Sequence, residues 1–400
     1  MSTNKDERRP LRSWLPVILF ARTTLNCSHR IVYPFLPSIA RGLDISLAAA
    51  GGLVTLRMVA GLAAPFLGPL ADRRSRRSVM ELALLVFSMA GLLLAGIGTL
   101  PAAIVAFVLL GLAKILYDPA THAYVGDTVP YAERARVIGL VELAWSGSWL
   151  IGVPLAGFLI ANIGWRAPWA LLGGLGLLSL ALTRIGLPST RRSLDRLKPG
   201  QAIAMLLATW RDLLRRRQVV VLLLTSLLMT AAVEAPFIVY GAWLEADFGL
   251  SLSTLGLASI VVGLAEVGGE FGTTVLTDRL GKRRSVVLGL VGLTVSLLLL
   301  PVLARLGLVA ALGGIVLLTL FFEFAIVSLL PLATELVPEA RASFLSLNMT
   351  AFSLGRTFGA LLGSWLWQGQ PGVITLHAVV GAVCALLATL LMVWGMVEPK

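Results

Sequence analysis

Leu276-Thr277-Asp278-Arg279-Leu280-Gly281-Lys282-Arg283-Arg284 sets one acid and four bases between two apolar runs, and a similar arrangement stands 206 positions earlier as Asp72-Arg73-Arg74-Ser75-Arg76-Arg77. A second landmark keeps nearly the same interval. Asp127-Thr128-Val129-Pro130, followed by Arg134 and Arg136, returns 208 positions on as Glu335-Leu336-Val337-Pro338, followed by Arg341. Short charged loops repeated at one interval divide the chain into two copies of one unit, and parallel repeats of this kind mark membrane-protein halves related by an axis along the membrane normal.

The segments around these loops are apolar at membrane length. Of 400 residues, 57% are hydrophobic and 14% charged, with a mean hydropathy of +0.89, which excludes a soluble globular chain. A spanning helix needs about 20 mostly apolar residues. Apolar runs read against breaker residues give twelve spans, at 14–39, 47–71, 78–99, 102–124, 136–162, 168–187, 218–245, 252–277, 284–304, 308–334, 342–367 and 373–396. The expected fold is an all-α membrane protein with two pseudo-symmetric six-helix bundles, at 1–187 and 218–400, joined by a linker at 188–217.

Basic residues give the orientation. Of 33 Lys and Arg, 24 lie in the termini, the linker and the loops on their side, 3 (Arg41, Arg166 and Arg305) lie in the opposite loops, and 6 lie within helices or at their ends. Both termini are therefore expected in the cytoplasm, with the basic linker resting on anionic headgroups and part of it forming an interfacial helix. The net charge of +12 then serves topology, and no nucleic-acid partner is expected. Lys5, Arg8, Arg9 and Arg12 precede an apolar run without a small-residue cleavage site, which reads as an uncleaved first span. Cys27 and Cys384 sit in apolar segments at opposite ends of the chain, as packing residues. His29, His122 and His377 are scattered, with no nucleophile elbow, metal-binding pair or phosphate loop, so neither an enzyme, a metal site nor a cofactor is expected.

Each ionisable side chain at mid-membrane costs about 2.5–3.5 kcal/mol or more unless it faces protein or water, so placement of charge reveals the interior. Span 1 carries Arg22, His29 and Arg30, span 2 Arg57, span 4 Lys114 and Asp118, span 5 Glu142, span 7 Glu234, span 8 Glu266 and Glu270, span 10 Glu323 and span 11 Arg356. Spans 3, 6, 9 and 12 carry no charge in their middles and are expected to face lipid all round. The other eight need a shared polar interior, which describes two bundles around a central cavity. Arg22, Asn26, His29, Arg30 and Tyr33 share one face of span 1, Lys114, Tyr117, Asp118, Thr121 and His122 one stripe of span 4, and Glu266 stacks on Glu270 one turn apart. Glycine ladders such as Gly355, Gly359 and Gly363, or Gly268 and Gly272, serve close helix contact.

With these residues in view the chain resembles the major facilitator superfamily, and within it the 12-span drug:proton antiporter type. Gly68-Pro69-Leu70-Ala71-Asp72-Arg73-Arg74-Ser75-Arg76-Arg77 looks like the signature loop between spans 2 and 3, with Ser75 where glycine is usual. Pro34-Phe35-Leu36-Pro37 is similar to the family's Pro-x-x-Pro, and Gly152-Val153-Pro154-Leu155-Ala156-Gly157 resembles its span 5 antiporter motif with one residue's displacement. Where such antiporters carry an arginine followed by Gln-Gly in span 4, this chain has Lys114 and then Tyr117-Asp118-Pro119, and lysine cannot form a bidentate fork. The resemblance implies a cytoplasmic gate, here Gly68, Asp72, Arg73, Arg76, Asp127, Asp278, Arg279, Arg283 and Glu335, in which the loop aspartates and bases bridge to acids and helix N-termini. Enforcing topology alone is the simpler role for those bases.

The intramembrane ions also admit two roles, solute and proton handling or structural salt bridges. Arg57, Glu234 and Glu323 lie nearest mid-span on interior helices. The first half carries Arg22, Arg30, Arg57 and Lys114 against Asp118 and Glu142, a balance of +2, and the second Arg356 against Glu234, Glu266, Glu270 and Glu323, a balance of −3. Such a cavity suits an amphiphilic or zwitterionic solute, and is equally able to neutralise itself. The expectation is a monomeric secondary transporter in the cell membrane, moving a small hydrophobic or amphiphilic solute outward by alternating access on the proton gradient. A permease or flippase for an anionic or lipid-like solute, and a transport-dead sensor, are the alternatives.

Overall fold

The computed structural model describes residues 11–63, 75–188, 199–337, 340–367 and 372–396. Helices follow the twelve expected spans, with a further helix, Pro199–Leu213, in the linker. Nine stretches among the described residues are apolar and long enough to cross a membrane, or ten if the bent pair Val32–Leu43 and Leu47–Ala63 is taken as one span. Leu11–Arg30 and Arg341–Leu366 are as long but less apolar, because they carry the polar residues of the interior.

Four inner spans are broken. Span 1 runs as Leu11–Arg30 and Val32–Leu43, with Phe35 out of helical geometry between Pro34 and Pro37. Its counterpart, span 7, breaks between Arg217–Phe237 and Tyr240–Phe248 just after Pro236. Proline lacks the N–H of the helical ladder and crowds the carbonyl four residues back. In span 5 the helix Tyr131–Gly147 widens into a π-helical turn, Ser148–Gly152, before resuming at Val153–Asn162 with Pro154 in its first turn. Span 8 breaks between Leu252–Ala258 and Ile260–Leu280.

The loop repeat also resolves locally. Ser75 stands extended at φ −65° and its hydroxyl accepts from the Ser78 amide, capping span 3 (Arg76–Gly96). Gly281, at the start of span 9 (Lys282–Arg305), takes φ +87° instead, a conformation that only glycine adopts freely. Side-chain capping in one half replaces backbone freedom in the other.

Spans 3, 6 (Ala167–Gly186), 9 and 12 (Ile374–Gly395) do not face lipid all round. Each buries one face, on which small residues such as Ala83, Ala90, Gly173, Gly176, Gly289, Ala378 and Ala385 stand among larger apolar ones, and turns residues such as Met89, Ile185, Val302 and Trp394 outward. A helix without charge still gains dispersion contacts by packing one face on its neighbours.

The halves meet at the end remote from the basic loops. There Arg41 of span 1 pairs with Glu245 of span 7 at 2.8 Å. Spans 5 and 8 cross at Gly157 and Gly256, where a Cβ on Gly157 would stand 2.7 Å from the Leu252 carbonyl oxygen and 3.2 Å from the Gly256 Cα. At the opposite end Arg76 pairs with Asp127 at 3.6 Å within the first half, and Lys282 with Glu335 within the second.

Candidate functional site

Between the halves, at the level of the breaks in spans 1, 5 and 7, lies a narrow pocket walled by Arg30, Tyr33, Trp145, Glu234, Phe237, Glu266, Thr319, Phe322, Glu323 and Arg356. Tyr33, Trp149 and Phe237 lie within 6.5 Å of one another, and Phe237 stacks on Tyr240 at 5.7 Å. These rings come from both halves and put an aromatic layer against the pocket.

The twelve intramembrane ions fall into three groups. The first is a network inside the first half. Arg22 donates from both terminal nitrogens to the two Glu142 oxygens, each at 2.9 Å, and lies 3.6 Å from Asp118. Lys114 pairs with Asp118 at 2.7 Å and donates to the Asn26 side-chain oxygen, while His122 Nε2 meets Glu142 at 2.9 Å. Arg22 is buried, whereas the His122 and Glu142 side chains are each 42% exposed, so the network looks into a vestibule on the side of the basic loops.

The second group crosses between the halves. Arg30 Nη2 of span 1 donates to Glu266 Oε1 of span 8 at 2.6 Å, and Trp149 Nε1 donates to the same oxygen at 3.2 Å. The Arg30 guanidinium stacks over Trp145 at 3.8 Å, a contact worth about 2 kcal/mol when desolvated.

The third group lacks ion pairs. Among the described residues Arg57, Glu234, Glu270, Glu323 and Arg356 have no oppositely charged partner within salt-bridge distance. Arg57 is 2% exposed and donates only to the Ser28 carbonyl, at 3.2 Å. Glu234 is 5% exposed, faces the Tyr33 hydroxyl, and leaves its buried Oε1 without a hydrogen bond. His29 turns a buried, unpartnered Nε2 towards this region. Buried ions without a bonded counter-charge cost several kcal/mol each.

Two tryptophans of this site, Trp145 and Trp149, escape a reading centred on charge. They follow Glu142 at three and seven residues and so share its helical face, a signal present in the sequence. The Gly152–Gly157 motif sits at the end of the π-helical turn, with Gly152 against Cys27 of span 1. Of the gate residues, Gly68, Asp72 and Arg73 lie outside the described residues. Asp278 belongs to span 8 but its side chain is likewise outside them. Arg279 is exposed, and Arg283 donates to the Met392 carbonyl at 3.3 Å.

The sequence profile described as Major Facilitator Superfamily matches residues 18–244 and 222–400. The chain belongs to the major facilitator superfamily. "Uncharacterized MFS-type transporter YceJ" of Bacillus subtilis is 27% identical over 351 residues, covering 86% of this chain and 87% of the relative. "Multidrug resistance protein 2" of the same organism is 26% identical over 347 residues, covering 84% of each. Among solved structures, that of a D-xylose-proton symporter superposes with a TM-score of 0.82 at 16% identity, over 97% of this chain and 98% of that one, a likeness of fold. As a member of the superfamily the protein is a multi-pass membrane transporter. Its polar pocket lies where the two halves of such a transporter meet.

Proposed function

We propose that this protein is a proton-driven exporter of a small hydrophobic or amphiphilic solute, held in the pocket between the halves and released by alternating access. The observation that carries the reading is the pair Arg57 and Glu234, both buried beside the pocket with no ion-pair partner among the described residues. In this reading Glu234, and Glu323 next, accepts the proton and Arg57 contacts an anionic part of the solute, since arginine stays protonated throughout. The aromatic wall of Tyr33, Trp145 and Phe237 supplies contact for an apolar body. The likeness to a multidrug resistance protein supports export.

The termini and linker face the cytoplasm of the cell membrane in this proposal, the basic residues lie on anionic headgroups, and the protein works as a monomer. The signature loops then gate the cytoplasmic side, and the Arg41–Glu245 pair ties the halves at the opposite end. Transport into proteoliposomes with and without a pH gradient, across a panel of lipophilic cations, zwitterions, organic anions and lipids, tests the proposal. Accumulation that needs the gradient supports it. Accumulation of an anion or lipid without the gradient would replace it by a permease or flippase.

A further inference from the structure

Glu266 and Glu270 lie one turn apart on span 8, and the residue between them that faces span 10 is Gly269. A Cβ on Gly269 would stand 2.7 Å from the Glu323 Cβ, so the glycine lets span 10 bring a third carboxylate against the other two. Arg30 is the cation bonded to this group, and it reaches only Glu266 Oε1, while Glu266 Oε2 is buried with no hydrogen-bond partner. Arg356 of span 11 and Glu234 of span 7 face the same pocket without ion pairs, Glu142 and Ser146 of span 5 stand towards Glu270, and span 9 carries charge only at its ends. Three carboxylates against Arg30 sum to −2, or −1 with the unbonded Arg356 of the same pocket counted, an excess of negative charge that a bound proton reduces.

We infer that Glu266, Glu270 and Glu323 form a shared proton-binding site whose occupation unties Arg30 from Glu266 and frees the two halves to move. Arg30 and Trp149 belong to the first half and Glu266 to the second, so this buried contact crosses the interface that alternating access must open. Glu270 is only half-buried and gives the site a route to the vestibule. The tie holds the unloaded protein closed at the Arg41–Glu245 end. A proton on the cluster removes the charge that Arg30 is bonded to, and the protein can then switch. An exchanger needs this rule, because a carrier that switches with neither proton nor solute dissipates the gradient. The inference deepens the proton-driven reading and rests on it for the role in transport.

The test is a distance measurement on the full chain in nanodiscs, with spin labels on cysteines at Ala48 and Ala246, in a background lacking Cys27 and Cys384. Both labelled positions are exposed, one in each half. The wild type is expected to populate a single short distance in mildly alkaline buffer and to gain a longer one on acidification. Glu266→Gln should show the longer distance at both pH values and lose most of the pH response, and Glu323→Gln or Glu270→Gln should shift its midpoint. Arg30→Gln cuts the same tie from the other side and should reproduce the Glu266→Gln distances, which covers the case that one variant fails to fold. A wild type whose distances ignore pH, or a Glu266→Gln protein that titrates like wild type, would overturn the inference. Distances that titrate as expected in a protein that moves no solute on a pH gradient would uphold the proton site and overturn the transport reading.

Discussion

Arg41 and Glu245 bridge the two halves 204 positions apart in sequence, close to the repeat interval, so the pair joins equivalent ends of spans 1 and 7. Their side chains are 57% and 36% exposed, which places the contact in water and limits its strength to about 0–1 kcal/mol. Glu245→Gln should therefore raise the reactivity of a cysteine at Ala242, buried beside the pair, towards an impermeant thiol reagent by no more than about fivefold, with the difference fading at high salt. The exchanged pair Arg41→Glu with Glu245→Arg should restore wild-type reactivity. An increase that the exchange fails to reverse would assign closure to the helix crossings at Gly157 and Gly256.

The proposed orientation rests on the basic asymmetry and is checked by labelling single cysteines at Ser193 and Gln370 in intact cells. Ser193 should react only after permeabilisation and Gln370 without it. Reaction of Ser193 from outside would invert the topology.

The Arg22–Glu142 contact predicts an asymmetry in stability. Arg22 is buried, so Glu142→Ala strands a guanidinium with the longer Asp118 contact and should cost about 3 kcal/mol, seen as a lower apparent Tm in detergent. Arg22→Ala strands the half-exposed Glu142, which water solvates, and should cost less. Equal losses would show that the vestibule is closed to water at this depth.

For coupling, Glu234→Gln should keep solute binding and solute exchange but lose accumulation on a pH gradient, whereas Arg57→Ala should lose binding itself. Binding is read by a solute-dependent rise in thermal stability, accumulation by proteoliposome transport. If Glu234→Gln and Glu323→Gln both accumulate solute like wild type, these carboxylates are structural, and coupling lies with Asp118, Glu142, Glu266, Glu270 or another ion.

Sequence alone carried the helical membrane fold and the eight helices that share a polar interior, but not the packed faces of spans 3, 6, 9 and 12. Those properties rest on hydrophobic length and on the cost of placing Arg22, Arg57 or Glu323 in lipid, and both act residue by residue along the chain. Which ion meets which was decided only by tertiary structure. Arg22 and Arg30 share one helical stripe, yet Arg22 pairs within its own half and Arg30 pairs across to Glu266, because the two stand eight residues, about 12 Å, apart along the helix and meet different neighbours at each depth. The charge totals of the two halves predicted a polar cavity but not that Arg57 and Glu234 would lack ion pairs there, since pairing depends on separations of a few ångströms between helices distant in sequence. The role of Gly269 was hidden for the same reason. A glycine in an apolar helix is common, and only the approach of Glu323 shows what its missing side chain makes room for.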